Sequence, residues 1–241
     1  LCNEKECKKS NYATYVLGNT LTEDTDISVV SLVSSHKNLY DYDSGILVPG
    51  RIYDENAATN PSAYIYGNYH ERKKEWLRDA HATIFDKDKM VFDNNIMIGT
   101  SGDSSAAMEI KSLKMVSEDE DVLLPLFDKW YESIRLRGGA QDQRQGNIRS
   151  SVVSRLAKES GYNGCPDTAR AAVFLNNEFY GLFDMQQTVS DSFFSNNYGI
   201  NNPHLVEKFK GTEKNVLDQS NISNLFNHSS WREEDKDKLE S

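Results

Sequence analysis

Lys111 and the glycine-rich segment before it are the residues best suited to chemistry in this chain. The segment "GTSGDSSA" (Gly99–Ala106) lies between two predicted strands, where small residues allow backbone N–H groups to approach phosphate oxygens. Lys111 follows within "EIKSLKM", which is predicted to be a strand. A lysine on a strand beside such a loop can contact the phosphates of a nucleotide. Phosphate binding is therefore one function that the pattern permits.

Both features also have plainer explanations. Glycine and serine between strands are often only a turn, and Lys111 can be an exposed residue on the polar face of an edge strand. The segment is not a Walker loop, which needs Gly-Lys-Ser/Thr at the start of a helix. The five histidines are scattered, and neither Gly-x-Ser-x-Gly nor His-Glu-x-x-His is present, so these hydrolase motifs give no support.

An aromatic-rich stretch offers another kind of site. Tyr64, Tyr66, Tyr69 and Trp76 can form a platform on which a carbohydrate stacks, or they can be ordinary packing beneath a long loop. A carboxylate pair for glycoside cleavage also stays open, because acidic residues are abundant and their positions in space are not given by spacing.

Composition limits the class of protein. The 241 residues are 38% hydrophobic and 27% charged, which is typical of a globular protein with one large domain or two small ones. The formal charge of -10 argues against a broad nucleic-acid-binding surface, although a pocket can still be locally basic. No apolar run reaches the roughly 18–20 residues that a membrane span needs. We therefore expect no nucleic-acid partner and no membrane span.

The three cysteines leave the redox environment open. Cys2 and Cys7 can close a small disulfide loop, as in a secreted protein, or remain two free thiols, as in a cytosolic one. Cys165 has no evident partner, and no Cys or His pair has zinc-ligand spacing. We predict no metal-ligating residues.

Strands outnumber helices in the predicted element order. Ile27–Val33 is β-branched and is predicted to be a buried strand, followed by strands at His81–Phe85, Met90–Ile98 and Met108–Met115. Further strands are predicted at Tyr131–Gly139, Thr168–Leu175 and Phe179–Met185, a short strand within Asp41–Gly50, a loop over 54–80, and helices at Asn147–Gly161 and Ser190–Gly199. Asn147 is expected to cap the first helix and Gly161 to end it. We predict an α+β fold with a mixed or antiparallel sheet and flanking helices.

Six segments, in order, resemble the CotH-type proteins, a family named for a spore-coat kinase and regarded as atypical protein kinases. They lie between about Ile27 and Ile200. "SGILVPG" is similar to the family's "G-I-x-V-P-G" turn, and "GNYHERKKEWLRDA" to its "G-N-x-x-x-R-x-x-E-W-E-R-P-A" stretch. The glycine-rich segment with "KSL", "IRLRGG" and "NIRSSVV" follow, and "VFLNNEFYGLFDMQQ" is close to "V-x-L-N-G-E-Y-x-G-L-Y-x-L-x-E".

The resemblance implies an atypical protein-kinase-like fold and transfer of phosphate from ATP, with Mg or Mn, to protein Ser/Thr. It makes Lys111 the phosphate-contacting lysine and places Gly99, Gly102 and Ser104 beside the nucleotide. It implies a bacterial protein, extracellular or at the cell surface, with a nucleotide and an unidentified protein substrate as partners. Residues 1–25 are then the tail of a preceding module or a linker, and residues 26–241 the kinase-fold domain.

This chain departs from the family pattern at several points. An acidic residue of the family falls on Gln187, which keeps a hydrogen bond to the strand lysine but loses the charge. The family's Arg-Asp pair becomes Arg149-Ser150. The family's metal-binding segment is expected beyond residue 241, so the domain is predicted to be incomplete at its C-terminus. The alternative function is a surface assembly or interaction module, possibly carbohydrate-associated, that has kept the fold and lost catalysis.

Overall fold

A computed structural model of the chain describes residues 26–60, 66–87, 89–119, 122–127, 129–162 and 164–188, with residues 193, 194, 197 and 199. The chain divides into two compact units, Leu1–Thr188 and Val189–Ser241. In the second unit Phe193, Phe194 and Asn197 are helical, in agreement with the short helix predicted there. The predicted N-terminal module and its two cysteines lie outside the described residues.

Seven strands of the first unit form a closed barrel. In chain order the strands are β1 (Ile27–Val33), β2 (Arg78–Asp86), β3 (Lys89–Ser101), β4 (Ser112–Val116), β5 (Leu124–Leu126), β6 (Lys129–Tyr131), β7 (Ser133–Arg137), β8 (Thr168–Leu175) and β9 (Glu178–Gln187). The order around the barrel is β1-β2-β3-β4-β7-β9-β8, and β5 pairs with β6 in a separate small sheet. The barrel neighbours are antiparallel except β1 and β8, whose parallel pairing closes it.

The hydrophobic core lies inside this barrel. Side chains alternate between the two faces of a strand, so every second residue points inward. The inward positions are apolar on each barrel strand: Val30, Leu32, Ala82, Ile84, Ile96, Ile98, Leu113, Met115, Ile134, Leu136, Ala171, Val173, Phe183 and Met185. The same alternation places polar residues of β4, β7 and β9 on the outer face.

Among the described residues of the first unit, three α-helices accompany the sheet: α1 (His36–Tyr40), α2 (Gly50–Ala57) and α3 (Arg149–Glu159). The helices and the large, mostly antiparallel sheet confirm the predicted α+β class. Helix α2 was not predicted, because its region contains no sustained apolar stripe. The short strand predicted within Asp41–Gly50 is wrong. That segment is a series of turns in which the Asp41 carboxylate accepts from the N–H groups of Asp43 and Ser44.

Helix α3 is capped differently from the prediction. The N–H groups of Ile148 and Arg149 donate to Asp142 Oδ2, each at 2.9 Å, so the cap comes from the preceding 3₁₀ turn. Asn147 instead has a φ of 48° and donates through Nδ2 to a backbone carbonyl of β9. Gly161, at φ +90°, ends the helix as predicted.

Most predicted strands are confirmed with changed ends. The bounds of β1 are those expected, whereas β3 continues beyond Ile98 through Gly99 to Ser101. The strand predicted from Met108 begins only at Ser112, because residues 108–110 bend. In the hairpin of β8 and β9 the turn is Asn176-Asn177, both with positive φ. Strand β9 extends beyond the predicted Met185 and ends with the two glutamines, Gln186 and Gln187.

Candidate functional site

The first three residues of the glycine-rich segment belong to strand β3, and the rest forms a loop that Arg72 holds by hydrogen bonds. Gly99 belongs to β3, whereas Gly102 is exposed at φ +104° and Ser104 begins a 3₁₀ helix. Arg72 holds the loop, donating to Gly102 O at 2.6 Å and to Thr100 Oγ1 at 2.8 Å. The loop therefore has a defined conformation, with the predicted Gly102 and Ser104 at its surface.

Lys111 lies directly before β4 and not inside a strand as predicted. Its side chain is buried, with 7% exposure; Nζ donates to Met108 O at 2.8 Å and lies 4.5 Å from the centre of the Tyr69 ring. Its N–H donates to the Tyr180 hydroxyl at 3.0 Å. Burial lowers the pKa of Lys111, and no carboxylate of the described residues lies within ion-pair distance of it. Lys111 thus fixes the connection between β3 and β4 at Met108, two residues beyond the glycine-rich segment.

His70, two residues before Arg72 in the chain, contacts the same loop. Its Nε2 lies 3.1 Å from Asp103 O, while Nδ1 is buried and has no hydrogen-bond partner in the part of the chain that the structure describes. Burial lowers the pKa of His70, and the nearby charges of Arg72 and Lys111 lower it further. Three basic side chains therefore meet backbone carbonyls around one loop.

Gln187 is not brought to Lys111. It is buried at the end of β9, opposite Ile134 of β7, which in turn faces Met115 of β4. Met115 is four residues along the chain from Lys111, which corresponds to roughly 13 Å of extended strand. No hydrogen bond joins Gln187 and Lys111, both of which are described. The pairing implied by the resemblance is not formed.

A polar face covers the outside of four barrel strands. Gly99 of β3 pairs with Lys114 of β4, Lys114 with Arg135 of β7, and Arg135 with Gln186 of β9. These four residues form one row across the sheet, and we call it the basic row. Its member on β3, Gly99, is also the first residue of the glycine-rich segment.

Lys114 is the least compensated cation of the basic row. It is half-buried, directly opposite Arg135, and has no hydrogen bond or ion pair with the residues that the structure describes. Burial lowers the pKa of Lys114, and the charge of Arg135 lowers it further. Like charges directly opposite each other on antiparallel strands are destabilising. The arrangement favours a bound anion.

Beyond the basic row, a cavity of about 280 Å³ lies between β7, β9 and the start of α3. Its lining is mainly polar: Arg137, Gly139, Gln141, Asp142, Asn147, Arg149, Ser150, Val153, Ser154 and Asp184. Asp184 forms an ion pair with Arg170 at 2.6 Å. The substituted pair Arg149-Ser150 thus lines a cavity whose floor is the polar face of the sheet.

Of the basic row, only Gly99 was among the predicted site residues, whereas Lys114, Arg135 and Gln186 were not. The signal was present in the alternation of "SLKMV" and "SIRLR", which places Lys114, Arg135 and Arg137 on one face once both segments are strands. Their adjacency depends on β4 pairing with β7, which no local pattern specifies.

Two of the four aromatic residues considered for a stacking platform, Tyr69 and Trp76, are packed within the protein. Tyr69 is 3% exposed beneath Lys111, and Trp76 packs on the core with the Arg78 guanidinium 5.0 Å above its ring. Tyr66 is exposed, and Tyr64 lies outside the described residues. Ordinary packing explains Tyr69 and Trp76.

The described residues hold neither a metal-binding cluster nor a membrane-spanning helix. No group of three or more His, Cys, Asp or Glu lies close enough to hold a metal ion there. None of the described helices is both long and apolar enough to cross a membrane.

Comparison with protein-family models gives no match, and comparison with curated proteins gives no significant match.

Proposed function

We propose that this chain contributes the nucleotide-binding part of a CotH-type, kinase-like domain that transfers phosphate from ATP to protein Ser/Thr. Lys114 and Arg135 bind phosphate oxygens, with the segment that contains Gly99, Gly102 and Ser104 at the edge of the site. The proposal rests on the resemblance for the reaction and on the basic row for the site. It carries the same implied location, outside a bacterial cell or at its surface.

The observation that carries the proposal is that Lys114 has no ion pair with the described residues. A half-buried ammonium beside a guanidinium loses hydration, and no carboxylate of the described residues compensates it. Phosphate oxygens would supply that anion and accept charge-assisted hydrogen bonds. Lys111, which was the predicted phosphate lysine, is engaged with Met108 and Tyr69 and is buried. Its part in the proposal is to hold the loop.

Mg or Mn enters the proposal through the resemblance alone. The described residues contain no cluster that could hold the ion, so no step of the transfer is assigned to them. What these residues can do is bind and orient the phosphates and place the glycine-rich segment against them.

Calorimetric titration of ATP, with Mg²⁺ or Mn²⁺ present, into the 241-residue chain tests the site. We expect Lys114→Met to bind about ten- to a hundredfold more weakly, since a hydrogen bond to a charged group contributes roughly 1.5–3 kcal/mol. Lys89→Met is the matched control, because Lys89 is exposed at the opposite end of β3 and should leave affinity unchanged. Absence of ATP heat with the wild-type chain would reject the nucleotide site.

The variant Lys111→Met tests which of the two lysines, Lys111 or Lys114, binds the phosphates. Equal ATP affinity of wild type and Lys114→Met, with loss in a folded Lys111→Met variant, would place the phosphates at Lys111. Loss confined to Lys114→Met supports the basic row.

A second candidate is an assembly or interaction module without catalysis. Gln187 favours it, because the uncharged side chain stands where the family has an acid and makes no hydrogen bond to Lys111. This candidate predicts a cooperatively folded chain that takes up no ATP even when the full-length parent protein is titrated.

A further inference from the structure

Arg137 is a guanidinium without a partner in the described part of the chain. Arg137 is partly buried at the end of β7, and its Nε is buried and forms no hydrogen bond with the described residues. No ion pair or other hydrogen bond of this side chain occurs among those residues. A guanidinium has five N–H donors in a planar fork, and leaving the buried Nε–H without an acceptor is costly.

Arg137 lines the cavity beside α3. The cavity is lined by Arg137 and Arg149 together with the hydroxyl-bearing Ser150 and Ser154. A volume of about 280 Å³ is close to the lower end of the range for small-molecule sites. Hydrogen-bond donors therefore surround a space large enough for a small ligand.

The two carboxylates at the cavity are already occupied by other donors. Asp184, across the ladder from Arg137, accepts instead from Arg170 at 2.6 Å. Asp142 Oδ2 accepts from the N–H groups of Arg149 and Ile148, and these bonds, the one from Arg149 foremost, lower the pKa of Asp142. Three arginines thus stand against two carboxylates, and Arg137 is the one left without an acceptor among the described residues.

We propose that this cavity binds an oxyanion, the phosphate or carboxylate group of a small molecule, with Arg137 as its main ligand and Arg149 as the second. The geometry of a guanidinium matches two oxygens of either group. This inference does not depend on nucleotide binding at the basic row.

Titration of inorganic phosphate and, separately, malonate into the wild-type chain at low ionic strength tests the proposal. We expect saturable binding of at least one anion, weakened about ten- to a hundredfold in Arg137→Gln. Arg144→Gln is the control, since the Arg144 side chain is 88% exposed and faces Glu109 at 3.6 Å. The stronger of the two anions identifies the class of ligand, phosphate or carboxylate.

Folding is checked by the thermal unfolding of each variant, which should stay cooperative because Arg137 loses no described partner on substitution. Arg137→Lys, which keeps the charge but loses the fork, should bind with intermediate affinity. Undiminished binding by Arg137→Gln, or no saturation of the wild-type chain by either anion, would overturn the proposal.

Discussion

Two lysines three residues apart have opposite surroundings. Lys111 is buried, and its ammonium contacts the Met108 carbonyl and the Tyr69 ring. Lys114 lies on the outer face, because Leu113 and Met115 on either side of it are in the core. Alternation along β4 thus separates a lysine that holds a loop from one that faces outward beside Arg135.

At the scale of single residues, the Tyr180 phenol gives a pH dependence. Burial raises the pKa of Tyr180 from its ordinary value of 10.0 to about 12. Between those pH values the folded chain keeps the proton and the unfolded chain has lost it. Stability therefore falls as pH rises from 10 to 12, by about 2–3 kcal/mol in all.

Tyr180→Phe is the variant that isolates this effect. At pH 7 it should be less stable by about 1–3 kcal/mol, since the Lys111 N–H loses its acceptor. The difference from wild type should shrink between pH 10 and 12, measured by urea unfolding at each pH. The exposed Tyr162→Phe, as a control for the substitution itself, should stay within about 0.5 kcal/mol of wild type at pH 7. A constant difference for Tyr180→Phe across that range would contradict the assignment.

At the scale of elements, the connection from β3 to β4 depends on Gly102. A Cβ at this position would meet Ser105 Oγ at 2.5 Å, and the φ of +104° is one that L side chains rarely adopt. Arg72, His70 and Lys111 then contact the carbonyls of Gly102, Asp103 and Met108, respectively. The connection is therefore a shaped loop whose conformation needs glycine.

Gly102→Ala should lower the free energy of unfolding by about 1–2 kcal/mol and also weaken ATP binding. Gly161→Ala is a matched control, since Gly161 also has a positive φ but a Cβ added there would meet no atom within 4 Å. It should cost comparable stability and leave ATP binding unchanged. If calorimetry gave the same ATP affinity for the two variants, the loop at Gly102 would not be part of the nucleotide site.

At the scale of the whole molecule, stability comes from the barrel interior rather than from α3. Leu32 of β1 is fully buried, and its strand pairs with β2 on one side and with β8 on the other. Helix α3 has no buried residue, and its apolar side chains Val152, Val153 and Leu156 are exposed. The amphipathic pattern of α3 therefore does not mark a helix packed into this core.

Leu32→Ala should lower the free energy of unfolding by about 2–5 kcal/mol, because it leaves a cavity in the core. Leu156→Ala makes the same chemical change at a residue with 59% exposure, and should stay within about 0.5 kcal/mol of wild type. Urea unfolding of the two variants provides the comparison. Similar losses at both positions would mean that α3 is as well packed as the barrel.

Local pattern was sufficient for most strands and for the fold class. The β-branched run of β1, the alternation in β7 and the Asn-Asn hairpin are all short-range signals, and each of these strands follows from them. Helix ends depended on less local contacts: Gly161 ended α3 as predicted, whereas its cap came from Asp142 rather than from the adjacent Asn147. Side chains distant by several residues compete for such N–H groups, and spacing alone does not rank them.

The sequence by itself determined the α+β class, the alternation that sorts side chains onto two faces, and the glycine that permits the loop. Only the tertiary structure decided that Lys111 is buried, that Gln187 lies away from it, and that Lys114 stands opposite Arg135. The physical reason is that alternation and turn chemistry depend on neighbouring residues, whereas pairing and register arise when the whole barrel closes around its core. The charges that meet on the outer face are therefore set by strand order, which no single segment encodes.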